Sequence, residues 1–454
     1  MVRGETTVWR SIGIDLGIKT THEVVALDPG EQEPQARFRC GHSYEDLEDM
    51  LQRVQVGLMP GGKLRFIMEP TDTAWVPVAS FLQAKGHDVY LVKSEMVKDQ
   101  RRVLKKHAKT DQIDALTLAK LPLVLPEALH RLLLADSRLE ALRRRVKQAY
   151  KLTQSITCRQ RRIRATVRLA LPVGSDEIDL FSAVGQALST GCLDPYGVVQ
   201  MGLRPLERAL QHQAGTQAGT EAAHQWFLAC QETLKLYGQS GPVDYEELQD
   251  ECEMEFELLR LEQQHLKKVQ ERIHSLYLEL HPSRNLETLR GVGPYVAAVA
   301  VAAIGNPKRF SSVRKFRAYT GMIPKVSASG QSESKRTSLS KAGPNWLKRA
   351  LFLAADVARQ WDPQLAKIYY DQVERYGHHH FHAVCAVASH LADRIFVVCR
   401  DDKPYELRDP EGKPITPADA KAYINAHLRV SAETRKRLRK QNKGKHRPRK
   451  LGAS

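Results

Sequence analysis

The segment Lys109-Thr110-Asp111-Gln112-Ile113-Asp114-Ala115 sets two carboxylates three residues apart, and on a helix that spacing puts both on one face. Two more acids come earlier. Asp15 follows the apolar run 11–14 and Glu69 follows the run 64–68, each where a strand would end. Four carboxylates delivered this way suit hard divalent cations: Mg²⁺, or Mn²⁺ in its place, takes one or two per ion and completes its octahedron with water and phosphate oxygens. A pair of such ions stabilises both the attacking and the leaving oxygen of an in-line displacement. Asp15, Glu69, Asp111 and Asp114 are therefore the candidate metal site, and phosphodiester cleavage is its natural chemistry.

The surrounding pattern predicts the elements that hold these acids. The run ending at Asp15, the glycine after it and the second run 23–28 read as a β-hairpin with the acid near the tip of its first strand. Pro70 stops the strand that delivers Glu69. A helix over 75–85 and a strand over 87–92 complete an alternating β/α order, and Asp111 and Asp114 open the next helix. Taken singly, each acid has a plain structural use as a turn former, a cap or an early helical acid favoured by the macrodipole. Taken together, their order is that of a ribonuclease-H-like nuclease core.

The chain has 454 residues, enough for two or three domains, and its 69 Lys+Arg against 52 Asp+Glu leave a net charge of +17. Polyphosphate is the natural partner of such a surface. Its seven cysteines are scattered with no Cys-x-x-Cys pair, so neither a zinc ribbon nor a disulfide framework is indicated, and free thiols in a cytoplasm are the simplest account. No leader-like opening and no apolar run of about eighteen residues is present, which argues against secretion and membrane spanning.

Past the first domain the chain turns helical and basic. Residues 136–171 run without Pro or Gly and carry Arg143, Arg144, Arg161 and Arg162 among eleven cations, a candidate phosphate-tracking face. Residues 173–243 read as an irregular insert with a Gly/Gln-containing loop near 211–220. In the helix 245–280, Cys252, Leu259, Leu266 and Ile273 recur every seven residues, a coiled-coil seam interrupted by Glu255 and Glu262. It could pair within one chain or between two chains.

A second chemical focus lies in the Ser/Gly-rich loop around Ser327, Ser329, Gly330 and Ser332. A serine hydroxyl becomes a nucleophile only when a base takes its proton and charge on the reacting group is stabilised. Lys335 and Lys341 in the loop, with Lys348 and Arg349 on a helix opened by Pro344, are candidate phosphate contacts. Before the loop, Gly291-Val-Gly293-Pro294-Tyr295 resembles a helix-hairpin-helix turn, whose backbone amides can meet a phosphate. His378 and His382 sit one turn apart, but no second ligand pair at zinc spacing accompanies them. The stretch 435–450 has Arg or Lys at ten positions and reads as a tail disordered until it meets nucleic acid.

Ile14-Asp15, Glu69-Pro70-Thr71, Lys109-Thr110-Asp111 with Asp114-Ala115, Ser329-Gly330, and Leu339-Ser340-Lys341 with Gly343 together resemble the transposases of the insertion-sequence 110 family, over roughly residues 10–125 and 286–400. The resemblance implies an α/β RuvC-like domain with an Asp-Glu-Asp-Asp site over 1–125 and a helical, coiled-coil connector over 126–285. It further implies a mainly helical transposase domain with a serine nucleophile over 286–400, leaving 401–454 as the basic tail. The nucleophile it implies is Ser329, the serine directly before glycine, with Ser327 as second candidate. The implied activity is RNA-guided DNA strand cleavage and exchange through a phosphoserine intermediate, assisted by Mg²⁺. The implied partners are target and donor DNA, a structured non-coding bridge RNA and further copies of the chain in dimers or tetramers, at the nucleoid rather than a membrane. The alternative is a metal-dependent RuvC-like endonuclease with water as nucleophile, and a basic RNA-binding scaffold is a third, non-enzymatic reading.

Overall fold

In a computed structural model, residues 9–31, 33–103, 110–126, 129, 131, 132, 134, 136–214, 216–238, 243–323, 328, 329, 332, 333 and 342–445 are described. The chain divides into two compact units, Met1–Ala135 and Asp136–Ser454.

The first unit is an α/β sandwich. Its strands are β1 (Trp9–Asp15), β2 (His22–Leu27), β3 (Ala36–Cys40), β4 (Lys63–Met68) and β5 (Asp88–Leu91). Its helices are α1 (Tyr44–Gln55), α2 (Trp75–Ala84), α3 (Ser94–Val103) and α4 (Asp111–Val124). The sheet order is β3-β2-β1-β4-β5; β1, β2 and β3 form an antiparallel meander, and β4 and β5 run parallel to β1. Alternation sorts the side chains to two faces. Ile12, Ile14, Val24, Ala26, Phe66 and Met68 pack on one face with α1 and α2, while Val25, Leu27 and Ile67 meet α4 on the other. Arg10, fully buried, pairs with Asp28 at 2.6 Å and donates to the Val54 and Val56 carbonyls, fixing α1 against the hairpin.

The second unit is helical. The long helices α5 (Ser137–Ala170) and α10 (Tyr245–Leu280) pack along one another, and between them the chain forms α6 (Ala183–Gly191), α7 (Pro195–Met201), α8 (Leu203–Ala214) and α9 (Thr216–Tyr237). Then follow α11 (Pro294–Ile304), α12 (Val313–Thr320), the short strands β6 (Ala328–Ser329) and β7 (Ser332–Glu333), α13 (Asn345–Ala358), α14 (Pro363–Tyr370), α15 (His380–Asp401), α16 (Pro417–His427) and α17 (Ala432–Lys445). The long helices α5 and α10 share one core with the region that follows them, because Val269, Ile273, Leu276 and Tyr277 of α10 close over the small residues of α11.

Three expectations change. Residues 173–243 are not irregular: four helices gather around the buried Trp226, whose Nε1 donates to the Cys192 carbonyl at 2.7 Å. The Gly and Gln content conceals an apolar face shared by four helices of unequal length, from α7 at 7 residues to α9 at 22. The tail is helical to Lys445 as α17, because Leu438 joins the core and Glu374 accepts from the Ser431 amide and the Thr434 hydroxyl at the helix start. Residues 446–450 lie outside the described residues. Pro344 is the N-cap of α13 rather than a first-turn residue.

The seam of α10 pairs within the chain. Glu255 and Glu262, which break the heptad pattern, face Arg159 of α5 at 2.9 and 3.0 Å, and Arg138 at the other end of α5 meets Glu279, so the two helices run antiparallel. All three side chains of the Arg159 cluster are mostly buried. Arg159→Met should therefore lower unfolding stability by about 3 kcal/mol, since Glu262 loses its counter-charge and Glu255 keeps only the more exposed Arg162. Replacing Arg159, Glu255 and Glu262 together with apolar residues should recover most of it; denaturant midpoints that rank the two variants the other way would contradict the pairing.

α15 has the length and composition to cross a membrane, but 56% of that stretch is inside the core, with Ala388, Leu391, Ile395 and Phe396 buried there. It is the central helix of the second unit.

Candidate active site

Asp15 is the last residue of β1, and Glu69 directly follows β4. The parallel register runs to Ile14↔Met68, so the next position on each strand brings Asp15 and Glu69 side by side at the carboxyl ends of neighbouring strands. Both point to the α4 face, because each lies two residues beyond a position on that face, Gly13 and Ile67 respectively.

Gly13 explains how α4 comes close. A Cβ built there would lie 2.0 Å from the Ala115 carbonyl oxygen and 2.5 Å from the Ala119 nitrogen, so only glycine lets helix backbone rest on strand backbone. Thr110 caps the helix by accepting from the Ile113 amide at 3.3 Å, and the capping starts the helix at Asp111. Asp111 and Asp114 thus occupy the first turn, with Asp111 exposed and Asp114 half-buried. Lys109 lies outside the described residues.

The sheet adds an acid that sequence reasoning passed over. Glu23 stands directly opposite Asp15 in the β1–β2 register and, two residues before Val25, shares the α4 face. It is buried, and Arg39, its partner across β3, donates from Nε at 2.5 Å. Hydrogen bonding to Glu23, its charge and, further off, that of Asp111 hold the Arg39 guanidinium above its usual range. Counting the hairpin register outward from its turn would have paired positions 15 and 23. The hairpin end is braced by His22, whose Nδ1 accepts from the Gly17 amide at 3.2 Å; burial, then the neighbouring His42, lowers its pKa to about 4 and keeps it an acceptor.

One end of the sheet therefore carries hard oxygen donors on adjacent strands and on the helix turn above. Among the described residues no three acid, His or Cys side chains converge closely enough to enclose a metal by themselves. The donors are of the right kind for Mg²⁺, which keeps several waters and substrate oxygens rather than a closed protein cage.

In the second unit, Ser329 ends β6 and pairs with Ser332 of β7; its backbone alone is described. Ser327, Gly330, Lys335 and Lys341 lie outside the described residues. The neck of this loop is pinched: a Cβ on Gly321 would lie 1.9 Å from the Ala342 carbonyl, and one on Gly343 2.4 Å from that of Tyr319, both at positive φ. Lys348 donates from Nζ to the Ala342 carbonyl at 3.1 Å, and Arg349 is exposed, with its charge close enough to act on the Tyr295 hydroxyl at the α11 start.

The expected phosphate-tracking arginines divide. Arg144 and Arg161 are exposed. Arg143 is a structural cap, donating from Nε to the Ala302 carbonyl at 2.8 Å at the end of α11, and Arg162 is paired with Glu255 at 3.2 Å. Counting charge along a helix cannot tell which cations face a partner helix. His378 and His382 stack at 4.1 Å between centroids, a ring contact in a histidine-capped helix start.

Comparison with known proteins agrees in both units. Residues 12–172 match a transposase family model of the IS110 DEDD type, and residues 283–370 match one described as Transposase IS116/IS110/IS902 family. Over 136 residues the chain is 33% identical to the insertion element IS110 uncharacterized 43.6 kDa protein of Streptomyces coelicolor, covering 30% of this chain and 33% of that one. Over 128 residues it is 25% identical to the pilin gene-inverting protein of Moraxella bovis, covering 28% and 40%. Over 120 residues it is 32% identical to the transposase for insertion sequence element IS1328 of Yersinia enterocolitica, covering 26% and 35%. The chain thus spans about a third to two-fifths of the length of the curated relatives it matches. One family model matches the segment that bears the carboxylates and a second the segment that bears the serine loop, so the chain carries IS110-family transposase domains.

Proposed function

We propose that this protein is a DNA transposase or recombinase that cuts strands and rejoins them to new partners, with Ser329 as nucleophile and Asp15, Glu69, Asp111 and Asp114 holding Mg²⁺ or Mn²⁺. The observation that carries this reading is the register that sets Asp15 beside Glu69 under the first turn of α4. An antiparallel meander continued by two strands parallel to β1, with acids at the ends of β1 and β4, supports a ribonuclease-H-like, RuvC-type domain. The printed names of the relatives, a transposase and a gene-inverting protein, support DNA as the substrate.

A metal bound by the quartet would supply positive charge to the oxygens exchanging at phosphorus. The chain supplies the rest. Ser329 Oγ forms the new bond to phosphorus while its proton passes to a base, and the departing sugar oxygen takes up a proton. A sugar hydroxyl of the new partner then attacks the phosphoserine and returns the serine. Charge from Lys335, Lys341, Lys348 and Arg349 favours phosphate near the loop. Guidance by a structured bridge RNA and assembly into dimers or tetramers belong to the same reading and rest on the family resemblance.

The test is covalency. A labelled suicide duplex carrying the end of the encoding element should give a protein–DNA adduct on a denaturing gel in Mg²⁺, lost in Ser329→Ala and kept in Ser327→Ala. Cleavage with no adduct would instead make water the nucleophile and the protein a RuvC-like endonuclease.

A further inference from the structure

A cavity of about 710 Å³ opens in the second unit where the end of α13, α14 and the start of α15 meet α16 and α17. Its size is within the range of small-molecule sites. Arg359, Lys421, Arg429 and Arg435 line it together with His379 and His380, and no acid does.

Two acids close in sequence to lining residues are already engaged. Asp356 is held by Arg359 at 2.7 Å, and Glu374 accepts from the Ser431 amide and the Thr434 hydroxyl. Arg429 and Arg435, both exposed, have no ion-pair partner among the described residues, so the cavity carries uncompensated positive charge.

Its walls have a second character. Val373, Val430 and Leu438 form an apolar floor, and Phe381, 57% exposed, rests one ring face near Phe352 at 4.9 Å between centroids. Arg359 lies 4.0 Å over the Tyr369 ring, whose hydroxyl meets His380 Nδ1 at 2.9 Å, so the polar wall is fixed in place. The start of the 22-residue α15, where His379 caps the His382 amide, lies at the same rim. Cations beside an exposed aromatic ring are the pairing by which proteins hold unstacked bases and their phosphates.

We propose that this cavity binds a nucleotide turned out of a nucleic-acid strand, its phosphate on Arg429, Arg435 and Lys421 and its base against Phe381. Its lining residues include none of the carboxylate quartet and none of the serine loop. It deepens the reading of the protein as a nucleic-acid enzyme without depending on strand exchange.

The test uses the full chain with short oligonucleotides bearing 5-iodouracil, one series deoxyribose and one ribose. Photocrosslinks mapped by mass spectrometry should fall on Phe381 or its cavity neighbours, and the series that crosslinks more efficiently identifies DNA or RNA as the source. Phe381→Leu should weaken binding about tenfold with an unaltered salt slope, whereas Arg429→Gln with Arg435→Gln should weaken it and make the slope shallower by about two. Crosslinks confined to other basic surfaces, or affinities unchanged in both variants, would overturn the proposal. The adduct assay on the same preparations separates the two readings: a Phe381 crosslink without a serine adduct keeps the cavity and removes the recombinase, and the reverse result does the opposite.

Discussion

Asp15→Asn should lower DNA strand cleavage by about 10²–10³-fold while leaving the circular dichroism spectrum unchanged. Asparagine has nearly the same shape, so β1 and its register with β4 should persist. What it loses is the charge that makes a carboxylate a strong ligand for a hard cation. Asp15 is the central carboxylate of the three at this sheet end: Glu69 flanks it on one neighbouring strand and Glu23 on the other. Cleavage of a labelled duplex, measured across a Mg²⁺ and Mn²⁺ titration, is the readout. A variant that cuts at the parent rate in limiting Mg²⁺ would remove Asp15 from the chemistry and leave it as a hairpin residue. A partial return of activity in excess Mn²⁺ would be consistent with a weakened ligand set.

Gly13→Ala should be costly through geometry rather than charge. The added methyl meets backbone atoms of Ala115 and Ala119, not flexible side-chain ends, so β1 and α4 must part. Overpacking of this kind costs about 1–3 kcal/mol and occasionally more, and backbone contact puts this site at the upper end. The displacement also carries the first turn of α4 away from the ends of β1 and β4. Cleavage should therefore fall even at temperatures where the domain stays folded, and this distinguishes misplacement from unfolding. A melting temperature and a cleavage rate both equal to the parent's would show that α4 does not rest on β1 as described.

The quartet was legible in the sequence because each acid ends a recognisable pattern: a strand run before Asp15, a strand run and proline after it at Glu69, and an i, i+3 pair at a helix start. Local periodicity carries that information. Glu23 was hidden because it opens an apolar strand and becomes part of the site only through its cross-strand partners, Asp15 and Arg39. The same limit applies to Arg143 and Arg159, which look like solvated basic residues until the helices they face are known. The helices of 173–243 were missed for a related reason: Gly and Gln content suggests a loop, and their common apolar side is evident only when they gather around Trp226.

The paired helices α5 and α10 have a further consequence. They join two separate apolar cores, one built around α11 and α15 and the other around Trp226. With α5 at 34 residues and a rise of about 1.5 Å per residue, the pair acts as a ruler whose length is counted in turns. Removing seven matched residues from each helix would bring the cores about 10 Å closer and leave their mutual phase nearly as it was. Removing two would swing the Trp226 bundle by more than half a turn about the axis, at about 100° per residue, with neither core altered. The spacing and orientation of that bundle are thus integers written into helix length, adjustable independently of everything either core must bury.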